Sequence, residues 1–210
     1  MEIQDNDVIL FLGDSIMDVQ RDNTNPKDIG TGFPKIVTDN LIRLFPDKNL
    51  KFYNCSVGGQ TVKETNDRIS RTMKDLEYKP TIVILLIGIN DVWNNQYDSS
   101  FGSLQEQTRF SKEYAKLLET ICQYTNRIVI LEPYVLPYPP KRKKWRVDLD
   151  SKIQIIKTLS ERNDYEYIAL DSIFNTIADE SNAVKYTGED GVHPTLLGHN
   201  VIADCLMKIF

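Results

Sequence analysis

The sequence predicts an α/β fold built on a parallel sheet with helices on both faces, and three observations carry that reading. Short apolar runs recur at five places, segments with helical periodicity or ample helix formers stand between them, and no repeat, low-complexity tract or Gly/Ser linker breaks the rhythm. With 210 residues, 41% of them hydrophobic, the chain can build one sizeable core but not comfortably two, so residues 1–210 are read as one domain.

The elements follow in order. Val8–Leu12 is an unbroken apolar run ended by Gly13, as expected of a strand buried on both faces. Phe52–Val57, Thr81–Ile87, Arg127–Leu131 and Tyr167–Leu170 are the other strand candidates, and the intervening helices are placed at Pro34–Leu44, Val62–Met73, Leu104–Tyr124 and Asp148–Arg162. A last helix is expected over Thr195–Ile209, where Leu196, Leu197, Val201, Ile202, Cys205, Leu206 and Ile209 recur at threes and fours and predict one buried stripe. Val19–Phe33, Asn94–Ser103 and Leu136–Val147 are left irregular.

Charge and composition exclude several function classes. A net charge of −5 argues against nucleic-acid partners, whose binding needs phosphates neutralised by Lys and Arg. The opening MEIQDNDVIL lacks a basic stretch and a long apolar one, and no later segment approaches the roughly 18 apolar residues of a membrane span, which predicts a cytoplasmic protein without membrane partners. Cys55, Cys122 and Cys205 are scattered without CxxC spacing and read as small buried hydrophobes, neither a disulfide framework nor a zinc site.

In open α/β sheets the ligand crevice lies beyond the carboxyl ends of the strands, so the stretches there are the candidates for chemistry. LGDS follows the first strand and presents Ser15 on a turn, as a nucleophile if a base is near and otherwise as an ordinary turn residue. Only two histidines exist, His193 and His199. In DGVHP, Asp190 stands three positions before His193 with Gly191 between, a spacing that lets the carboxylate hold Nδ1–H and leaves Nε2 to face a serine. VILLIGINDVW ends its strand at Gly88, after which Asn90 carries a neutral amide donor suited to an acyl-transfer oxyanion. NCSVGGQT exposes the N–H groups of Gly58 and Gly59 at a strand-to-helix junction, where anions bind readily. Taken singly, each stretch is more often an ordinary turn, loop or helix cap than a catalytic element.

Together, GDS, NCSVGGQT, GIND and DGVHP resemble in order and spacing the four sequence blocks of the SGNH hydrolases, the GDSL esterases and lipases. The resemblance spans nearly the whole chain, and the absence of a G-x-S-x-G elbow separates it from the ordinary α/β-hydrolases. It implies a three-layer α/β/α sandwich of flavodoxin-like kind with about five parallel strands in the order 2-1-3-4-5. It also implies Ser15 as nucleophile, Asp190 and His193 as the rest of the triad, the Ser15 and Gly59 N–H groups with Asn90 as oxyanion donors, and no cofactor or metal. Met17 and Ser56 depart from the usual Thr and Gly of the blocks.

GTGF (Gly30–Phe33), GINDVW, LEPYVLP (Leu131–Pro137) and VHPTLLGH (Val192–His199) are similar to intracellular acetylxylooligosaccharide esterases of the family, although Glu189 replaces the aromatic residue those enzymes carry before the triad Asp. The implied reaction is hydrolysis of short acyl esters, acetyl above all, on soluble oligosaccharides, with a lysophospholipase or thioesterase as the alternative. Outside the family the alternatives are an inert flavodoxin-like binding module and a metal site of Asp190, His193 and His199. Trp93 is either a sugar platform or a core residue. Asp14 and Asp91 are expected to anchor loops, His199 to be an ordinary helix residue, and KRKKWR (Lys141–Arg146) to be a solvated loop. Asn94–Ser103 is a lid or a contact between copies in a homo-oligomer.

Overall fold

The computed structural model describes residues 1–210. Five strands, β1 (Val8–Gly13), β2 (Lys51–Asn54), β3 (Ile82–Leu86), β4 (Ile128–Leu131) and β5 (Glu166–Ile168), form one sheet in the order β2-β1-β3-β4-β5 with every neighbouring pair parallel. This is the expected order. β2 ends at Asn54, three residues before the expected Val57. Cys55 and Val57 still donate to Phe11 and Gly13 of β1 at 2.9 and 3.0 Å, so the chain runs beside β1 as it turns into the glycine loop.

Helices α1 (Phe33–Leu44), α2 (Val62–Asp75), α4 (Leu104–Cys122), α5 (Arg146–Arg162) and α8 (Leu196–Met207) occupy the expected places. The sequence did not reveal α3 (Ile89–Trp93), α6 (Leu170–Ile177) and α7 (Val184–Thr187), because helices of 5, 8 and 4 residues are too short to display an apolar repeat. Leu170, expected to end β5, opens α6 instead.

Side-chain alternation along β1 divides the core. Ile9 and Phe11 join Phe33, Val37, Ile202 and Leu206 of the packed pair α1 and α8, whereas Leu10 and Leu12 join Ile69, Phe110 and Leu117 of α2 and α4 on the opposite face. Both faces of β1 are therefore buried, which is why its sequence is continuously apolar.

Three further expectations need correction, and the first concerns the cysteines: Cys55 is buried, whereas Cys122 and Cys205 are half-buried. The buried stripe of α8 is centred on Gly198, His199, Ile202, Ala203 and Leu206, while Leu196 and Leu197 on its first turn point into solvent. The basic run is not a solvated loop: Pro140–Trp145 is a 3-10 helix in which Arg142 and Trp145 are buried. No helix is long and apolar enough to cross a membrane.

Since all strands point one way, the turns after β1 and β3 and the glycine loop after β2 open at one edge of the sheet. The loop entering α8 meets them there, as the Ser15–His193 contact described next requires.

Candidate active site

Ser15 sits on a tight turn closed by the Asp14 carbonyl, which accepts from Met17 and Asp18 N–H at 3.1 and 2.9 Å. The Asp14 carboxylate takes the Ile16 N–H at 3.0 Å, so the side chain beside Ser15 shapes the turn. It is fully buried, and that burial pushes its pKa up to about 7.

Asp190 and His193 are brought together by their own turn. Asp190 Oδ1 accepts from the Val192 and His193 N–H groups at 2.8 and 2.9 Å, leaving Oδ2 to receive His193 Nδ1–H at 2.5 Å. With Nδ1 protonated, Nε2 is the accepting nitrogen, and it lies 2.7 Å from Ser15 Oγ across 178 positions of sequence. Burial works to raise the Asp190 carboxyl, but the His193 hydrogen bond and the two backbone donors hold it below the usual carboxylate value. The same hydrogen bond outweighs burial at His193 and raises the imidazole above its ordinary value.

A pH dependence follows from that shift. Imidazolium cannot take the serine proton, so kcat/KM is expected to fall as pH drops through the raised His193 pKa, with the acid limb above the roughly 6.5 of a free imidazole. A pH–rate profile whose limb lies at or below about 6 would contradict it.

Gly88 adopts φ +128°, a conformation open to glycine alone at little cost, and it turns the chain from β3 into α3. That turn places Asn90 almost buried, with Nδ2 donating to the Gln60 carbonyl at 3.0 Å and its second amide hydrogen left over. A Cβ at Gly58 would stand 3.7 Å from Ser15 Cβ, so the glycine loop lies against Ser15. Neither Ser15 nor Gly59 donates its N–H to a backbone carbonyl, while Gly58 N–H is taken by Asp18 at 2.8 Å.

Several supporting residues were not legible in the sequence. Asn54, fully buried, donates to the carbonyls of Met17 and Ile29, both at 3.0 Å, and accepts from Ser56 N–H, binding the Ser15 turn to β2. Asp18 pairs with Arg21 at 3.2 Å, and Arg21 reaches the Ser56 carbonyl at 2.6 Å. Gln60 contributes only its carbonyl to Asn90, a role open to any residue type, so no residue-type signal marks it. Asp91 anchors a loop as expected, taking the N–H of Val62 at 2.9 Å at the start of α2.

Trp93 is half-buried, its ring centroid 6.0 Å from that of His193 and 5.1 Å from that of Trp145. His199 stands apart from the pair Asp190–His193. It is buried on α8, where its Nδ1 accepts the Phe33 N–H at 3.1 Å, and no group of three or more His, Cys, Asp and Glu side chains is arranged to hold a metal. Asn94–Ser103 is tied down by Gln96 Oε1, which accepts from Trp145 Nε1 at 3.2 Å, and by Asn95, which donates to Glu106 at 3.1 Å.

A family model described as GDSL-like lipase/acylhydrolase matches residues 11–201. The chain is 26% identical over 216 residues to an acetylxylan esterase from Geobacillus stearothermophilus, covering 99% of this chain and 95% of that protein. A solved structure of an acetylxylan esterase from the same organism superimposes with a TM-score of 0.84 at 24% identity, covering 99% of this chain and 95% of the other. A Parabacteroides merdae protein assigned as a GDSL-like lipase gives 0.85 at 25% identity, over 99% and 96%.

Proposed function

The chain belongs to the GDSL-like lipase/acylhydrolase family and is a serine esterase, and from that premise we propose that Ser15, His193 and Asp190 form its triad and that it removes acetyl groups from soluble oligosaccharides. The observation that carries the reading is the unbroken relay from Ser15 Oγ through His193 to Asp190, at 2.7 and 2.5 Å.

Ser15 Oγ attacks the ester carbonyl while its proton passes to His193 Nε2, and the Asp190 carboxylate stabilises the imidazolium. Negative charge on the former carbonyl oxygen is met by the Ser15 and Gly59 N–H groups and by the free amide hydrogen of Asn90. His193 then protonates the departing alcohol, and water deacylates the serine by the same steps in reverse. Because His193 delivers the leaving-group proton, the alcohol must lie beside it, next to the half-buried indole of Trp93, which offers a pyranose an apolar face. A cytoplasmic location suits a soluble imported oligosaccharide better than a polymer.

Acyl size tests this reading. Acetylated xylooligosaccharides and aryl acetate are expected to be cleaved far faster than aryl octanoate, because a pocket shaped for one methyl excludes a chain. Preference for octanoate would reject the acetyl reading in favour of a lysophospholipase or thioesterase.

A further inference from the structure

Of the basic run Lys141–Arg146, Arg142 is drawn inward, with 5% of its surface exposed. Its guanidinium carbon lies 4.1 Å from the ring centroid of Trp93 and 3.8 Å from that of Trp145, in the notch between two indoles tilted by 59°. Trp145 is itself buried and anchored through Gln96. Cation–π contact on two sides holds the planar group, and Nε then donates to the main-chain carbonyl of Asp190 at 2.7 Å. The next peptide of the same turn is held by Leu136, whose N–H donates to the Gly191 carbonyl at 2.9 Å.

We propose that Arg142 is a positioning residue for the triad: it clamps the turn that carries Asp190 and His193 against the two tryptophans and supplies the positive charge that faces His193. The inference rests on the triad assignment above. Three charged groups act on His193: Asp190 from its own turn, Asp14 from the end of β1, and Arg142 from the 3-10 helix. Asp190 favours imidazolium, as does Asp14 when it is ionised, and the guanidinium opposes it. Arg142 thereby keeps the base neutral at a lower pH than the carboxylates alone would allow, and it keeps Nε2 in line with Ser15.

The test uses Arg142→Gln and Arg142→Lys with aryl acetate, which has no sugar to report on Trp93. In Arg142→Gln the acid limb of kcat/KM should move to higher pH, because the opposing charge is gone. Its kcat at the plateau should fall about ten- to hundredfold with KM nearly unchanged, the signature of a misplaced catalytic group. Lysine keeps the charge but neither the planar stack nor the Nε donor, so Arg142→Lys should leave the limb in place and still lose kcat.

An Arg142→Gln variant with unchanged limb and kcat overturns the proposal, as does a kcat loss that only tracks the unfolded fraction seen in a thermal melt. Should the glutamine variant not fold, full kcat in Arg142→Lys overturns it alone. His193→Ala is the separate control on the triad: if that variant stays active, the triad assignment has failed, whatever Arg142 does.

Discussion

Alanine at His193 is expected to lower kcat by about 10⁴–10⁶-fold while the protein remains folded, because the serine loses both the acceptor of its proton and the donor to the leaving alcohol. The imidazole is 45% exposed, so truncation removes little packing. The second histidine supplies the contrast. His199→Ala should keep most of the turnover and lose stability, since Phe33 N–H at the start of α1 would lose its acceptor, at a cost of about 1–3 kcal/mol or several degrees of Tm. Burial lowers the His199 pKa to about 4, so its contribution is complete above the ordinary value of 6.5 and is lost as pH falls from there toward 4. The pH dependence of the melt should therefore weaken over that interval in His199→Ala. Near-normal turnover in His193→Ala, or a larger loss in His199→Ala, would show that the base has been misassigned.

Asn90→Ala should lose about 10²–10³ in kcat, equivalent to about 2.7–4 kcal/mol of transition-state stabilisation, with KM barely altered. An oxyanion donor strengthens its bond only as charge develops, so its removal is felt in the transition state and not in the bound ester. The same substitution frees the Gln60 carbonyl, and that hydrogen bond contributes about 1 kcal/mol, or a few degrees of Tm. The two effects are separable by measuring kcat and the thermal midpoint on one preparation. A folded variant with collapsed kcat is the expected outcome, and a destabilised variant with near-normal turnover would reduce Asn90 to a loop-holding residue.

The fold was legible because its signals are local. An apolar run such as Val8–Leu12 marks a doubly buried strand wherever it occurs, and the repeat of such runs between helical segments dictates parallel pairing. The short helices α3, α6 and α7 escaped for the converse reason: fewer than three turns leave no period to read. Half of the candidate site was local too. Asp190 and His193 are three residues apart, and their contact closes within a single turn.

Contacts between distant segments were decided by the tertiary structure alone. That Ser15 meets His193 depends on β1 and the loop before α8 opening at the same edge of the sheet. The amino-acid types there announce a nucleophile and a base but carry no distance. Arg142 and His199 are the sharper cases, since a charged residue in a basic run and a polar one in a helix are ordinarily placed in water. Arg142 is buried because Trp93, Trp145 and the Asp190 carbonyl converge on it, and His199 because α1 presents an N–H that needs an acceptor. Desolvating a charged or polar group is offset only where partners are already waiting. For Arg142 the carbonyl is 48 positions away and for His199 the N–H is 166 away, so only the assembled fold can specify them.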